Sequence, residues 1–157
     1  MSNTPNRTVP PAALTEPLVK GVLVPVPPAR AFELFTDGIS SWWPLGTHSV
    51  GRAEAVSVRV DGTVGGEIVE TMSDGRTTVW GTVTAWEPPD LVAFTWHPGG
   101  DPVRATQVSV TFTHVSDGTR VELTHTGWEV LEHGIAMREN YDGGWELVLG
   151  HYTSVAR

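Results

Sequence analysis

Two polar side chains, Glu70 and His125, stand where strand alternation turns a residue inward, and there this 157-residue chain could do acid–base chemistry. Glu70 shares strand parity with Ile68 and Met72. A carboxylate entering an apolar interior must be paired or neutral, and a general acid wants the same surroundings. A bulge or a salt bridge at a sheet edge, with Arg59 or Arg76, accounts equally for the position and is the expected outcome. His125 shares parity with Val121 and Leu123 at the end of a strand, just before Gly127. A neutral imidazole there could donate to or accept from a bound polar group, and its titration range is sensitive to small shifts. The plainer expectation is a structural histidine bonded to a backbone carbonyl. His48, in Leu45-Gly46-Thr47-His48-Ser49, reads as a loop residue satisfying backbone groups, with ligand contact as the alternative.

Other chemistries find little support. The chain has no cysteine, hence no disulfide, thiolate metal site or cysteine nucleophile. Its six histidines, at 48, 97, 114, 125, 133 and 151, lack the paired spacing of a zinc motif, and no metal or cofactor is expected. Gly65-Gly66 and Gly143-Gly144 do not fit a phosphate-binding fingerprint. The second pair reads instead as a point where the start of a helix passes close to a strand. No nucleophile-elbow pattern occurs.

A net charge of −8, with no basic run, argues against nucleic acid or an anionic membrane as a partner. No span approaches the roughly 20 apolar residues that a membrane helix needs, so no membrane insertion and a cytoplasmic location are expected. Seven tryptophans are many for this length. Indoles supply broad apolar surface with one N–H donor, which suits a cavity wall as well as a core.

The elements that must position these residues follow from periodicity. Residues 1–15, with Pro5, Pro10 and Pro11 and no periodic pattern, read as a disordered tail, and 16–157 as one domain. A strand spans Leu18 to Val26 and stops at Pro27-Pro28. Pro28 then opens a helix that places Ala31, Phe32 and Phe35 on one face, and a second short helix carries Ile39 to Trp43. Adjacent indoles on a helix diverge by about 100°, so one of Trp42 and Trp43 packs inward and the other faces a cavity mouth, or both cap the sheet end. Period-two alternation then marks six strands: Val56 to Val60, Glu67 to Met72, Thr77 to Trp86, Leu91 to His97, Thr106 to His114 and Arg120 to Thr126. Asp61-Gly62, Asp74-Gly75 and Asp117-Gly118 supply turns between them. Trp128 to Arg138 reads as loop or irregular helix. Tyr141, Trp145, Val148, Tyr152 and Val155 recur at steps of four and three, the period of a helical face running from about Tyr141 to Ala156. The class is α+β, one long helix covering a curved antiparallel sheet.

These elements carry a series of short motifs: Phe35-Thr36-Asp37, Trp42-Trp43-Pro44-Leu45, Gly65-Gly66, Trp80-Gly81, Trp86-Glu87-Pro88-Pro89, Leu91 to Trp96, Leu123 to Trp128, and Gly144-Trp145. In order and spacing the series, covering about Glu16 to Arg157, resembles the START-like (SRPBCC) superfamily. Within it, the match is to the branch named for homology to the activator of a heat-shock-protein ATPase. The resemblance implies a helix-grip fold, with about seven strands wrapped around the C-terminal helix, two short helices after the first strand, and a deep apolar pocket. It implies less about activity, because this fold hosts carriers, receptors and cyclases alike.

Three functions are therefore weighed. The first is binding of a small hydrophobic or aromatic ligand between helix and sheet. Trp145, Val148 and Tyr152 would form one wall, Phe94, Trp96, Phe112 and Leu123 the other; Phe35, Trp42 and Trp43 would edge the mouth, and His125 would be the main polar contact. The second is a polyketide cyclase/dehydratase-like enzyme using His125 or Glu70 as acid/base. The third is a co-chaperone-like interaction module. A homodimer is a further expectation.

Overall fold

β-Branched residues alternating with polar ones, broken at Asp-Gly and Pro-Pro, commit most of the chain to strands. The computed structural model describes residues 14–157 and has seven of them. They are β1 (Leu18–Val24), β2 (Ala55–Val60), β3 (Glu67–Met72), β4 (Thr77–Glu87), β5 (Leu91–Trp96), β6 (Thr106–Val115) and β7 (Gly118–Thr126). Between β1 and β2 lie helix α1 (Pro28–Thr36) and short 3₁₀ turns at Ile39–Ser41 and Arg52–Glu54. A long helix, α2 (Gly134–Val155), closes the chain.

The strands form one antiparallel sheet in the order β1-β7-β6-β5-β4-β3-β2. Five hairpins make the meander from β2 to β7, and β1 joins the far edge by pairing Val22 with Val121. The sheet curls around α2, which is the expected helix-grip arrangement. Most inward positions match the alternation: Val92, Phe94 and Trp96 on β5, Val108, Val110 and Phe112 on β6, Val121, Leu123 and His125 on β7 are all buried. On β2 the alternation misleads. The register with β3 shifts between Ala55 and Ser57, so Val58 is buried while Val56 turns out to solvent. An extra residue in one strand reverses the parity of everything before it.

The other difference is the length of α2. It begins at Gly134, seven residues before the expected start at Tyr141. Gly134 is required there by close approach, since a Cβ would lie 2.1 Å from the Trp128 carbonyl oxygen. Arg138 ties the new first turns to the edge of β1 by donating to the Glu16 and Pro17 carbonyls at 3.2 and 3.1 Å. Gly143 and Gly144 are mid-helical, with nothing within 4 Å of an added Cβ on either, so the expected close approach at this pair is not found. The expected tail lies outside the described residues except for Leu14 and Thr15, which are helical, with Leu14 packed against the core.

Helix α2 buries Trp145, Val148, Leu149 and Tyr152 against the sheet. Tyr152 hydroxyl donates to the Ala31 carbonyl at 2.8 Å, joining α2 to α1. Around it Phe35, Trp42 and Phe112 pack edge to face, Phe35 lying 5.2 Å from Tyr152 and 5.7 Å from Phe112. Such aromatic pairs contribute about 0.5–1.5 kcal/mol each beyond simple burial. This half of the interior is solid.

Candidate functional site

Where the aromatic core reaches the other end of α2, it opens. A cleft of about 540 Å³ lies between α2, the loop 47–52 and the turn after β5. That volume falls in the range of small-molecule sites. Its floor is made by Trp43, Trp96 and Trp145, whose ring centroids are 5.4–5.9 Å apart. Trp80 stands behind them, 5.1 Å from Trp43 and 5.6 Å from Trp96. Met137, Asn140, Tyr141, Gly144 and Val148 supply the helix wall, at helical spacing. Thr47 to Val50, Arg52, Pro98 and Gly99 supply the facing rim.

Each floor indole is fixed by its N–H. Trp43 donates to the His48 carbonyl at 2.6 Å and Trp96 to the Tyr141 hydroxyl at 3.0 Å. Trp145 donates to His125 Nδ1 at 3.0 Å. Because an indole only donates, Nδ1 must carry the lone pair, which places the proton of the neutral ring on Nε2. That Nε2 sits 2.7 Å from Thr106 Oγ1, which in turn donates to the Trp96 carbonyl at 3.2 Å. One chain of hydrogen bonds thus runs from Trp145 through His125 and Thr106 to Trp96. His125 has no exposed surface, and burial pushes its pKa down to about 3. It is therefore a structural histidine whose partners are side chains, not the backbone carbonyl expected. It orients the floor and does not line the cleft.

Glu70 departs further from expectation. It is on β3, inside the sheet order, with no exposed surface, and Arg76 pairs with Asp74 instead. Its Oε1 accepts from Trp80 Nε1 at 2.8 Å and the Val50 amide at 2.9 Å, and its Oε2 from the Gly51 amide at 2.8 Å. Three N–H donors stabilise a buried carboxylate without any cation. Gly51 is needed because a Cβ there would meet Glu70 Oε2 and Met72 at 3.0 Å. The carboxylate thereby clamps the rim loop onto the tryptophan floor. Replacing Glu70 with Gln would turn an amide NH₂ toward one of these donors. It should cost about 1.5–3 kcal/mol of stability and raise hydrogen exchange at the Val50 and Gly51 amides. Exchange as slow as in the parent protein would show that the loop is held some other way.

The same loop carries a strained residue. Arg52 has φ 51°, the left-handed region that costs a residue with a Cβ about 1–2 kcal/mol. The conformation is enforced from both sides, by Glu70 on Gly51 and by Ser49 Oγ, which accepts from the Arg52 amide at 2.7 Å while donating to the Leu45 carbonyl.

Of the residues expected to form the site, the structure brings Trp43, Trp96, Trp145 and Val148 together in the cleft. Trp42 points the other way and donates to the Leu34 carbonyl at 2.9 Å. Phe112, Leu123 and Tyr152 are close-packed core and line no part of the cleft. Phe35 and Phe94 face only a void of about 10 Å³ behind the tryptophans, room for about one water. Apart from His48, for which ligand contact was the alternative reading, the rim loop was not foreseen, nor were the first turns of α2. Ala136, Met137, Arg138 and Glu139 are good helix formers and could have signalled the longer helix. Nothing periodic marks the loop. Tyr141, foreseen on the helix face but not in the site, has its pKa raised by burial against the opposing effect of the Trp96 donor. A second, more open depression of about 460 Å³ lies between α1 and the end of β4, edged by Phe32, Trp86 and Pro89. Among the described residues no group of His, Asp or Glu could hold a metal ion, and no helix is long and apolar enough to cross a membrane.

The sequence model of the family described as activator of Hsp90 ATPase homolog 1-like protein matches residues 25–154. No curated protein is a sequence match. Among solved structures, an anthrahydroquino-gamma-pyrone synthase, Txn09, complexed with SUM, is 29% identical with a TM-score of 0.64, covering 91% of this chain and 98% of its own. The Aha1 dimer of Colwellia psychrerythraea is 20% identical with a TM-score of 0.66, covering 89% and 95%. Protein MLL2253 of Mesorhizobium loti is 15% identical with a TM-score of 0.63, covering 88% and 95%.

Proposed function

The chain belongs to the family of activator of Hsp90 ATPase homolog 1-like proteins, and from that premise we propose that its cleft binds an apolar, aromatic small molecule. The observation that carries this reading is the cleft of about 540 Å³ floored by three contiguous indoles, of which only 8% of Trp43, 5% of Trp96 and 2% of Trp145 is exposed. A planar ring system would lie against the part of these indoles that reaches the cleft and against Met137, Tyr141 and Val148, while the few polar rim groups would orient it. Support also comes from Txn09, 29% identical, whose name denotes a synthase of a fused aromatic pyrone.

That relative favours a second reading, cyclase-like catalysis in the same cleft. Neither His125 nor Glu70 can serve as its acid or base, because both are without exposed surface and their polar atoms are already bonded. The task would fall to His48 and Tyr141, which do line the cleft.

Gly144 gives the test. It faces the cleft from mid-helix, and a side chain added there meets no atom within 4 Å of its Cβ. Gly144→Phe should place a ring in the ligand's space. A panel of anthraquinones, flavonoids and fatty acids, followed by quenching of intrinsic tryptophan fluorescence, should contain a compound that saturates at about micromolar levels. The variant should weaken that compound at least about tenfold, and its melting temperature should hold or rise, because Gly inside a helix costs about 0.5–1 kcal/mol. Absence of saturable quenching by every compound, or unchanged affinity in the variant, would sink the proposal.

A further inference from the structure

The lining of the cleft contains one cationic side chain, Arg52, and no carboxylate. This is notable in a chain where Asp and Glu number 18 against 10 Lys and Arg. Among the described residues the ion pairs use Lys20, Arg30, Arg76, Arg120 and Arg138, and Arg52 enters none of them. Arg52 is also the single non-glycine residue at positive φ among the described residues, and two separate contacts hold its backbone there. Strain of this kind persists only where surrounding structure imposes it, and it gathers where a side chain must be aimed. On the facing wall stands Tyr141. Its oxygen already accepts from Trp96, and its own proton has no acceptor among the described residues. An indole N–H donated to a hydroxyl makes that hydroxyl a stronger donor in turn.

We propose that the cleft selects aromatic ligands bearing an anionic oxygen group, a carboxylate or ionised phenol, with Arg52 as the counter-charge and the Tyr141 hydroxyl as a hydrogen-bond donor. A guanidinium fork matches two oxygens at once, and Arg52 is exposed at the rim of the cleft, where its pairing with an anion is sensitive to salt. The assignment rests on the cleft being the ligand site.

Matched probes separate the two ideas. Anthraquinone-2-carboxylate and anthraquinone-2-carboxamide share one ring system and differ in charge. Titrated against intrinsic fluorescence in low salt, the carboxylate should bind about tenfold more tightly, and the advantage should shrink in 0.5 M NaCl. Arg52→Gln should remove that advantage while changing the carboxamide's affinity less than about twofold. Arg52→Gly should do the same without lowering the melting temperature, since φ 51° suits glycine, so a loss of charge recognition can be told from a loss of fold. If the carboxamide binds and is blocked by Gly144→Phe, yet the carboxylate has no advantage or Arg52→Gln weakens both probes alike, the anion assignment is overturned and the aromatic cleft stands. If neither probe binds, both fall together.

Discussion

Trp145→Ala should lower the stability of this protein by about 3–5 kcal/mol, in the range of large aromatic truncations in cores. The indole is 2% exposed and holds the centre of the molecule in three ways. It packs 5.4 Å from Trp96 and 5.9 Å from Trp43, and stacks on Tyr141 one turn earlier at 6.0 Å. Its N–H also satisfies a fully buried His125. Removing it opens a void beside the cleft and leaves the Nδ1 lone pair without a donor. Water from the cleft can reach part of that void, which limits the cost. Trp145→Phe divides the effect, keeping most of the apolar surface while losing the donor, and should cost about 1–2 kcal/mol. Urea denaturation followed by circular dichroism reads both. A loss below about 0.5 kcal/mol for the alanine variant, a surface-like value, would mean that α2 does not present this face to the sheet.

Acid should destabilise the fold well above the range in which carboxylates titrate, and His125 is the reason. Its folded pKa of about 3 lies below the ordinary 6.5, the cause being burial. The unfolded chain therefore takes up a proton at pH values where the native state refuses it. The contribution is complete above about pH 6.5 and is lost as pH falls, by about 1.4 kcal/mol per unit down to about pH 3, some 5 kcal/mol in all. Asp74 and Asp142 have carboxyls held below 3.8, by Arg76 and Lys20 respectively, so what they contribute is lost only at lower pH. The interval from pH 6 to 4.5 thus isolates the histidine. His125→Gln, which cannot take a proton, should be less stable at neutral pH but nearly flat across that interval. Parallel slopes in the parent and the variant would remove the histidine from the account.

The behaviour of Val58, Phe94, Leu123 and Trp145 was written in local sequence. Period two and the three–four step decide which side of a strand or helix a residue occupies, and the Asp-Gly turns decide where direction reverses. That was enough for seven antiparallel strands, one covering helix, and the identity of most buried residues. It was also enough for the family resemblance, which depends on the order of those same elements. Periodicity failed where geometry stopped being local. A bulge turned Val56 outward, and the helix begins seven residues before Tyr141, where its aromatic stripe starts. Whether inward side chains mesh or stand apart depends on how far α2 is from each strand, which no single segment encodes. Tertiary structure alone decided that Tyr152, Phe112 and Leu123 close into solid core while Trp43, Trp96 and Trp145, buried as well, come to floor a cleft. It alone gave Glu70 its three donors, two of them from a loop about 20 residues away in sequence, and so brought Arg52 to the rim of the cleft. A buried carboxylate is satisfied by whichever N–H groups the fold delivers, and that delivery is a property of the assembled molecule.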